Sequence, residues 1–530
     1  MKRIAAVMMS LIYFFSLTGC ENVPQQPNIQ SVQAVTTKVT TAITEQITET
    51  ETTTTIHAPN YQEKVVQSPV SMEMPTEIWV QAEDCVLSEA LHVENAYNGY
   101  TGSGYVVGLS GNVQNTLVFS VSLPASQHYD ISVMLAADCD AACQVQIDNK
   151  VSHMLSIPGT GKFIQATIQA VYLEAGTHTI IIQQTSGESR LDSLLLQNAE
   201  KMDVANISAT PCDVNATPES KQLMQFLTEQ YGNKLISGQY VSSSENDELM
   251  QIYQITGQFP VIRFDDLYSK DAVTSSLDWA EQGGIVGLMW HWNAPMGIAS
   301  VYSDETDFSL SNAVTDVDVS HCKESELQQM QNEGIISEEC VALMKDIDTA
   351  AKELKILQEA DIPVLWRPLH EASNQWFWWG ASGNEAYQWL WNLMYIRLTE
   401  YHQLHNLIWI WNGQSADYLV PETQFDIASA DIYLDADADY SSCYEQFFSL
   451  QKLTENKIVA LSECSTIPDL SDILRDQSIW SFFGLWYGEY LMDDTAGYTT
   501  KQQMIDTYNS DLVMTLSEYR AWYAPQTNQT

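Results

Sequence analysis

The sequence predicts an α/β fold in which a (β/α)8 barrel of the TIM type follows an all-β jelly-roll sandwich. From about residue 215 to 525, eight apolar strand-like runs alternate with helical patterns, which is typical of a barrel. From 76 to 199, short runs of alternating polar and apolar residues are separated by Gly, Asn and Ser turns, which is typical of a sandwich. The 530 residues are enough for both domains.

The first 75 residues predict two segments that precede the folded domains. Residues 1–20 begin with a charged Met-Lys-Arg, continue with a short apolar run and end at Cys20 in LTGC, which resembles a bacterial lipobox. We interpret them as a lipoprotein signal peptide, with an ordinary secretory signal as the alternative. Residues 21–75 are rich in Thr and poor in aromatics, which predicts a disordered linker. We therefore expect an extracellular bacterial lipoprotein, anchored at the cell surface through Cys20.

The composition restricts the partners that the chain can have. It has 68 acidic and 23 basic residues, so its formal net charge is −45. Nucleic acid and anionic membrane surfaces require basic patches, so we expect neither as a partner, apart from a membrane contact through the lipid anchor. A neutral substrate suits this charge, and we expect a monomer. Tryptophan is clustered between Trp366 and Trp411, which indicates a cleft for stacking; the eight positions are 366, 376, 378, 379, 389, 391, 409 and 411.

Polar and ionisable residues end most of the eight barrel runs, where the catalytic groups of such barrels lie. These residues are Asp265, Asp266, His291, His370, Glu371, Asn412, Asp431, Tyr433 and Glu463. Glu371 and Glu463 close the fourth and seventh runs, which face each other across an eight-stranded barrel. A pair of carboxyl groups, one protonated and one ionised, is what hydrolysis of a glycosidic bond requires.

The surroundings of the two glutamates predict different roles. Glu371 precedes the aromatic run 376–379, so burial favours its neutral form and an acid/base role; a solvated turn residue is the alternative. Glu463 follows the short strand IVAL, and a hydrogen bond from Tyr433 would keep it ionised as a nucleophile. A separation of about 5 to 5.5 Å between the carboxyl groups would predict retention of the anomeric configuration.

The barrel region resembles glycoside hydrolase family 26, a retaining family of clan A that is dominated by endo-β-1,4-mannanases. The resemblance covers residues 215–520 and rests on RPLHE (367–371), WFWWG (376–380) and LSE (461–463), with ISGQY (236–240) and GGIVGLMWHWNAP (283–295) in support. It implies Glu371 as the proton donor and Glu463 as the nucleophile, with no cofactor for catalysis. It also implies substrate-binding roles for His291, His370, Trp376, Asp431, Tyr433 and Trp486.

Two departures from the family pattern affect the expected substrate. Asn374 replaces a common Gly, and Tyr487 stands where many members have an Arg that helps to hold a distal sugar. The resemblance implies cleavage of internal β-1,4-mannosidic linkages in plant cell-wall mannan, glucomannan or galactomannan. A β-1,3-1,4-glucanase or β-1,3-xylanase of the same family, or a catalytically weak surface glycan-binding protein, remain alternatives.

The sandwich region is similar to family 35 carbohydrate-binding modules over about 120 residues. The similar segments are WVQAEDCVLSE (79–89), GYTGSGYVVGL (99–109) and SRLDSLLLQ (189–197). The resemblance implies a structural calcium ion, with Glu83 and Asp192 as carboxylate ligands; an exposed strand carboxylate is the alternative for Glu83. Residues 187–190 lack the Trp that many such modules carry, so sugar binding by this domain stays open.

Overall fold

A computed structural model describes residues 74–110, 115–148, 151–199, 207–269, 271–436, 441–454, 456–491 and 496–527. The predicted signal peptide with Cys20 and most of the predicted linker lie outside these residues. Within the described ranges, no helix is long and apolar enough to cross a membrane.

The N-terminal domain consists of two antiparallel sheets that enclose one apolar core. One sheet has the order β2-β3-β10-β5-β8, with β1 paired to β10, and the other has the order β4-β9-β6-β7. The strands are β1 Glu77–Gln81, β2 His92–Glu94, β3 Tyr105–Val107, β4 Leu117–Leu123, β5 Gln127–Ala136, β6 Ala141–Ile147, β7 Val151–Ile157, β8 Ile164–Leu173, β9 Gly176–Ser186 and β10 Arg190–Asn198.

The alternating pattern of the sandwich strands has the expected cause. In β4, Leu117, Phe119, Val121 and Leu123 are buried, while the residues between them are exposed. Successive side chains of a strand point to opposite faces of the sheet, so one face of β4 meets the core. The sequence prediction of an all-β region is confirmed.

The C-terminal domain is a closed barrel of eight parallel strands. The order β12-β13-β14-β15-β16-β17-β18-β11 closes because β11 also pairs with β12, and the short β19 adds beside β11. The strands are β11 Leu235–Tyr240, β12 Ile262–Asp266, β13 Ile285–Met289, β14 Val364–Arg367, β15 Leu407–Trp411, β16 Ile427–Ile432, β17 Ile458–Cys464, β18 Phe482–Leu485 and β19 Val513–Met514. All eight runs predicted as barrel strands contain one, so the predicted barrel is confirmed.

Helices follow the barrel strands and cover the outside of the sheet. Several begin at a side-chain cap: Thr217 and Ser337 each accept a hydrogen bond from the backbone N–H three residues later. The helices are α1 Pro218–Gln230, α2 Asp247–Thr256, α3 Ala272–Glu281, α4 Leu310–Ala313, α5 Glu324–Asn332, α6 Glu338–Glu359, α7 Trp378–Ala381, α8 Asn384–Ile396, α9 Tyr444–Thr454, α10 Leu470–Asp476, α11 Lys501–Tyr508 and α12 Leu516–Thr527. Short 3₁₀ turns cover Ala82–Asp84, Ala372–Asn374, Ala416–Tyr418, Glu422–Gln424 and Gly488–Tyr490, and Arg397–Tyr401 is a π-helix.

The tryptophan cluster belongs mainly to the core. Of its eight members Trp376 is exposed, at 48%, and Trp389 is half-buried. Six are at most 1% exposed: Trp366, Trp378, Trp379, Trp391, Trp409 and Trp411. The interpretation of the whole cluster as a stacking cleft is therefore wrong, because most of these side chains fill the space between strands and helices.

Candidate active site

Glu371 lies four residues beyond the end of β14, in a strained turn. Its φ is +52°, a left-handed conformation that is costly for a residue with a Cβ atom. The turn is held by Asn412, which follows β15: the Glu371 N–H donates to Asn412 Oδ1 at 2.8 Å. The Asn412 amide donates in turn to Ser429 Oγ and Ser462 Oγ, at 3.0 Å each. The ends of β14, β15, β16 and β17 therefore fix the position of Glu371 together.

Three carboxyl groups meet at the centre of the barrel mouth. One oxygen each of Glu371, Asp431 and Glu463 lies within 4.8 Å of the other two. The register of β16 and β17 places Asp431 opposite Glu463, after an irregularity that follows Ala430. The fold thus brings together the two glutamates that the sequence paired, although 92 residues separate them (463 − 371).

Arg367, the last residue of β14, supplies the positive charge for this group. Its Nη1 lies 2.9 Å from Asp431 Oδ2, and its Nη2 donates to Glu463 Oε1. The guanidinium is almost completely buried, as are both carboxylates. Tyr433 OH donates to Glu463 Oε2 at 2.7 Å, as the sequence predicted. Each oxygen of Glu463 therefore accepts a hydrogen bond, an arrangement that stabilises its ionised form.

Glu371 has the opposite environment. Burial, followed by the negative charge of Asp431, raises the pKa of Glu371 to about 8. The positive charge of Arg367 and a hydrogen bond from Trp376 act in the other direction and are outweighed. The expectation that burial favours the neutral form of Glu371 is confirmed. The sequence had not indicated that a second carboxylate contributes to this shift.

The two predicted histidines form a chain that begins at Asp266. His291 Nδ1 lies 2.7 Å from Asp266 Oδ2, and His291 Nε2 lies 3.2 Å from His370 Nε2. Burial and the nearby Arg367 charge lower the pKa of His370 well below its ordinary value, so His370 is neutral. When Nδ1–H of His291 donates to Asp266, Nε2 of His291 is the acceptor for the Nε2–H of His370. His370 is only 1% exposed, whereas the His291 side chain is 25% exposed, so His291 is the histidine that reaches the surface of the cleft.

The predicted aromatic residues border the carboxyl groups. Trp376 and Tyr433 are exposed, and Trp486 is half-buried just after β18. The ring centroid of Trp486 lies 6.3 Å from that of His291 and 6.5 Å from that of Tyr433. Trp486 therefore occupies the space between the histidine side and the Glu463 side of the cleft.

Sequence reasoning missed the roles of Arg367, Asn412 and Asp266. The sequence placed Asp266 and Asn412 at strand ends and Arg367 in the RPLHE motif, but it gave none of them a function. One pattern in the sequence could have indicated the role of Arg367: an arginine ends one barrel strand, and carboxylates end two later strands. Such an arginine is needed because buried carboxylates require a partner.

The two predicted calcium ligands of the sandwich also lie close together. Glu83 Oε1 accepts from Ser103 N–H at 2.6 Å, and Asp192 Oδ1 accepts from Thr101 N–H at 2.8 Å. Thr101 Oγ1 lies 2.9 Å from Asp192 Oδ2 and 3.0 Å from Gln81 Oε1. Glu83 Oε2 is buried and has no hydrogen-bond partner in the structure.

The sandwich contains a cavity of about 720 Å³ at the segment that lacks the family tryptophan. Its lining includes His92, Asp138, Glu188 and Arg190. Arg190 lies 2.6 Å from Asp138 and 4.1 Å above the ring of Tyr97. One face of that ring is therefore covered by a guanidinium group.

The barrel sequence matches one enzyme family over most of its length. Residues 212–518, more than half of the chain, match the profile of Glycosyl hydrolase family 26. The chain belongs to glycosyl hydrolase family 26. It is therefore a glycoside hydrolase, and family 26 mannanases need no cofactor for catalysis. Residues 79–199 match Carbohydrate binding module (family 35), so both resemblances drawn from the sequence are confirmed.

Relatives with both domains are known. A mannan endo-1,4-beta-mannosidase of Thermothelomyces thermophilus is 32% identical over 464 residues, which are 83% of this chain and 90% of the relative. Mannan endo-1,4-beta-mannosidase A of a Piromyces species is 29% identical over 83% of this chain and 72% of its own length. The crystal structure of the Podospora anserina GH26-CBM35 β-(1,4)-mannanase is 31% identical with a TM-score of 0.56, and the alignment covers 84% of this chain and 99% of that one.

Proposed function

We propose that this glycoside hydrolase is a retaining endo-β-1,4-mannanase that cleaves internal linkages of mannan, glucomannan or galactomannan. The observation that carries the mechanism is the pair Glu371 and Glu463, which have opposite environments and oxygens within 4.8 Å of each other. Retaining enzymes hold their two carboxyl groups about 5 to 5.5 Å apart. The names of the Thermothelomyces and Piromyces relatives, both mannan endo-1,4-beta-mannosidases, support the substrate.

In the first step, Glu463 attacks the anomeric carbon of the sugar at the cleaved bond. The bond to the leaving oxygen breaks, and the proton of Glu371 passes to that oxygen. A pKa of about 8 keeps Glu371 protonated at neutral pH, so the proton is available. Arg367 and Tyr433 hold Glu463 in position through one hydrogen bond to each oxygen.

In the second step, Glu371 acts as a base. It removes a proton from water, the water oxygen attacks the anomeric carbon, and the ester bond to Glu463 breaks. Asp431 assists here, because its negative charge raises the pKa of Glu371 and makes the newly formed carboxylate a stronger base. Two displacements at the same carbon return the original anomeric configuration.

A substrate panel tests this proposal. Linear mannan, glucomannan, galactomannan, mixed-linkage β-glucan and β-1,3-xylan are each incubated with purified wild-type protein and with Glu463→Ala. We expect release of manno-oligosaccharides by the wild type and none by the variant. Activity on β-glucan or β-1,3-xylan alone would retain the mechanism and overturn the substrate. Binding without hydrolysis of any of them would indicate a glycan-binding protein.

For the sandwich we propose a structural calcium site at Glu83 and Asp192. Carboxylate, amide and hydroxyl oxygens are the ligands that calcium prefers, and Gln81, Thr101 and the unpartnered Glu83 Oε2 extend the set. The ion would compensate the buried Glu83 carboxylate, which otherwise leaves one oxygen without a donor. We propose that this domain keeps the enzyme close to plant cell-wall polysaccharide.

We also propose that Cys20 carries a lipid that anchors the enzyme at the bacterial surface. The support is the sequence alone: the apolar run of residues 4–17 ends shortly before Cys20. Expression of the full chain and of Cys20→Ser in a bacterial host, followed by separation of membranes, tests it. We expect the wild type in the membrane fraction and Cys20→Ser outside it. Equal distribution of the two would favour an ordinary secretory signal.

A further inference from the structure

Tyr240, the last residue of β11, packs against the candidate active site but has no role in the mechanism above. Its side chain is completely buried. The ring stacks on Phe264, with centroids 4.7 Å apart and an interplanar angle of 16°, and its centroid also lies 4.7 Å from that of Trp486. A Cβ atom on Gly484 would lie 2.7 Å from Tyr240 Cε2, so the backbone of β18 is in close contact with the same ring. The fold therefore fixes the position of this phenol.

The phenol of Tyr240 lies beside the guanidinium of Arg367. Arg367 Cζ is 5.9 Å from the centroid of the Tyr240 ring. Burial lowers the pKa of Arg367, but the charge of Asp431 and then the neighbouring Tyr240 outweigh this effect, so the pKa of Arg367 is raised. Burial raises the pKa of Tyr240, so its hydroxyl keeps its proton. A neutral phenol can accept a hydrogen bond as well as donate one, so Tyr240 places an uncharged acceptor beside the cation of the site.

The hydroxyl of Tyr240 has no hydrogen-bond partner among the residues that the structure describes, although the oxygen is buried. The same is true of Arg367 Nε. A buried polar atom without a partner lowers the stability of the folded state. Phenylalanine would keep the ring and remove this cost. The presence of the hydroxyl therefore calls for an explanation, and a partner that appears at another stage of the reaction provides one.

The acceptors of Arg367 change during the proposed reaction. In the resting site its guanidinium donates to the carboxylates of Asp431 and Glu463. Attack on the anomeric carbon converts the Glu463 carboxylate into an ester, while Glu371 gives its proton to the leaving oxygen. The negative charge thus moves from Glu463 to Glu371. Because hydrogen bonds to charged acceptors are the stronger ones, Arg367 loses one of its two strong acceptors at this step.

We propose that Tyr240 is a positioning residue, whose hydroxyl oxygen accepts a hydrogen bond from the guanidinium of Arg367 as Glu463 becomes an ester. This inference rests on the double displacement of the proposed function. The new hydrogen bond replaces the acceptor that Arg367 loses and holds the guanidinium in place beside Asp431. The phenol keeps its proton throughout, and no covalent bond changes beyond those of the double displacement.

The Tm of Tyr240→Phe in two backgrounds tests the proposal without any substrate. Glu463→Gln imitates the loss of charge and keeps the shape of the side chain; Glu463→Ala replaces it if the glutamine variant does not fold. In the wild-type background Tyr240→Phe should not lower the Tm, because it removes a hydroxyl without a partner. In the uncharged Glu463 background it should lower the Tm, because there the hydroxyl is the acceptor for Arg367.

Tyr387→Phe is the matched control for this comparison. Tyr387 lies on α8, is buried, and has a hydroxyl without a hydrogen-bond partner among the described residues. Its ring contacts Trp391 and Tyr418 instead of the arginine of the active site. Tyr387→Phe should therefore change the Tm equally in both backgrounds.

Activity provides a second readout, because kcat/KM reports the first displacement, in which Glu463 loses its charge. We expect Tyr240→Phe to lower kcat/KM for β-1,4-linked mannohexaose by about 10- to 100-fold, which corresponds to the loss of a hydrogen bond to a charged group. Tyr387→Phe should match the wild type. A structural role alone would lower the Tm of Tyr240→Phe in both backgrounds and leave kcat/KM of the folded enzyme unchanged.

Either of two results would overturn the positioning role: an equal effect of Tyr240→Phe on the Tm in both backgrounds, or an unchanged kcat/KM in an active enzyme. If the wild type cleaves mixed-linkage β-glucan and not mannan, the proposed substrate fails, and a β-glucan oligosaccharide replaces mannohexaose in the same comparison. If the wild type cleaves neither, the proposed function fails, and the Tm comparison still decides whether the hydroxyl of Tyr240 becomes the acceptor for Arg367 when Glu463 is uncharged.

Discussion

In the sandwich, Glu83 and Asp192 accept hydrogen bonds from backbone N–H groups, whereas in the barrel Glu371 lies buried beside the carboxylate of Asp431. Amide donors stabilise the ionised form of a carboxyl group, and a neighbouring carboxylate stabilises the neutral form. The same chemical group is thus suited to holding a cation in one domain and to donating a proton in the other. The two roles differ because the fold places different groups around each carboxyl group, and not because the residue types differ.

The largest expected difference between the two sites is in catalysis. Glu371→Ala removes the proposed general acid, so we expect kcat on mannan to fall by about 10²- to 10⁴-fold. Glu83→Ala should leave kcat on soluble manno-oligosaccharides unchanged. Comparison with an aryl mannoside that has an activated leaving group provides the control, because its hydrolysis needs less proton donation. An equal loss of kcat/KM on both substrates would contradict an acid role for Glu371, because kcat/KM reports the first step and not the base role of Glu371 in the second.

Removal of the charge partner should also distinguish the two domains. Arg367→Met leaves Asp431 and Glu463 without their buried cation, so we expect the free energy of unfolding to fall by about 3–5 kcal/mol. Arg190→Met in the sandwich breaks an ion pair with the exposed Asp138, which solvent screens, so we expect a far smaller loss of stability. Urea unfolding measures both. Restoration of stability in Arg367→Met by Asp431→Asn would show that uncompensated charge is the cause.

The pH profile depends on Asp431. In the proposed mechanism Glu371 is the acid, and its pKa is about 8, so the alkaline limb of kcat/KM should lie near that pH. Asp431→Asn removes the neighbouring charge and should move this limb to lower pH. An unchanged limb would mean that another group controls it.

Stability should depend on pH through the same glutamate. Folding raises the pKa of Glu371 from 4.5 to about 8. Between these two pH values the folded state therefore holds a proton that the unfolded chain releases. Its contribution to stability is complete below about pH 4.5 and is lost as the pH rises through about 8. Glu371→Gln removes this dependence, so its Tm relative to wild type should increase from pH 5 to pH 8. A constant difference in Tm would contradict a raised pKa.

The smallest expected effect concerns calcium. Chelation should lower the Tm of the wild type, because an ion that binds the folded state alone stabilises it. Glu83→Gln should reduce the effect of the chelator, while kcat on soluble oligosaccharides remains unchanged. Differential scanning calorimetry with and without added calcium measures both. Identical Tm values under all conditions would argue against the ion.

The sequence predicted the barrel well because each strand is a compact apolar run that ends in a polar residue. Glu371 and Glu463 could be proposed as a catalytic pair for the same reason, since strand ends and an aromatic neighbour are local features. Trp409 and Trp411 show the limit of such patterns: they share a stretch rich in tryptophan with Trp376 but point into the core. Composition does not report which way a side chain points.

The contacts of Arg367 were beyond the reach of local patterns. It joins Asp431 and Glu463 across 64 and 96 residues of sequence, and these partners meet only when the barrel closes. The position of Tyr302 was also not predictable from local patterns, because it depends on the bridge between Tyr302 and Phe377, which are far apart in the sequence. The meeting of Glu371 and Glu463 at the barrel mouth was therefore predictable, whereas the charge balance and the borders of the cleft were not.

Rescue by azide tests the assignment of Glu371 and Glu463 most directly. Azide is a small nucleophile that can enter the space left by a removed carboxylate, and an aryl β-mannoside serves as the substrate. With Glu463→Ala, azide should replace the nucleophile and give the α-mannosyl azide, observed by NMR. With Glu371→Ala, it should attack the intermediate on Glu463 and give the β-mannosyl azide. The reverse pattern would exchange the two roles, and formation of neither azide would contradict the double displacement.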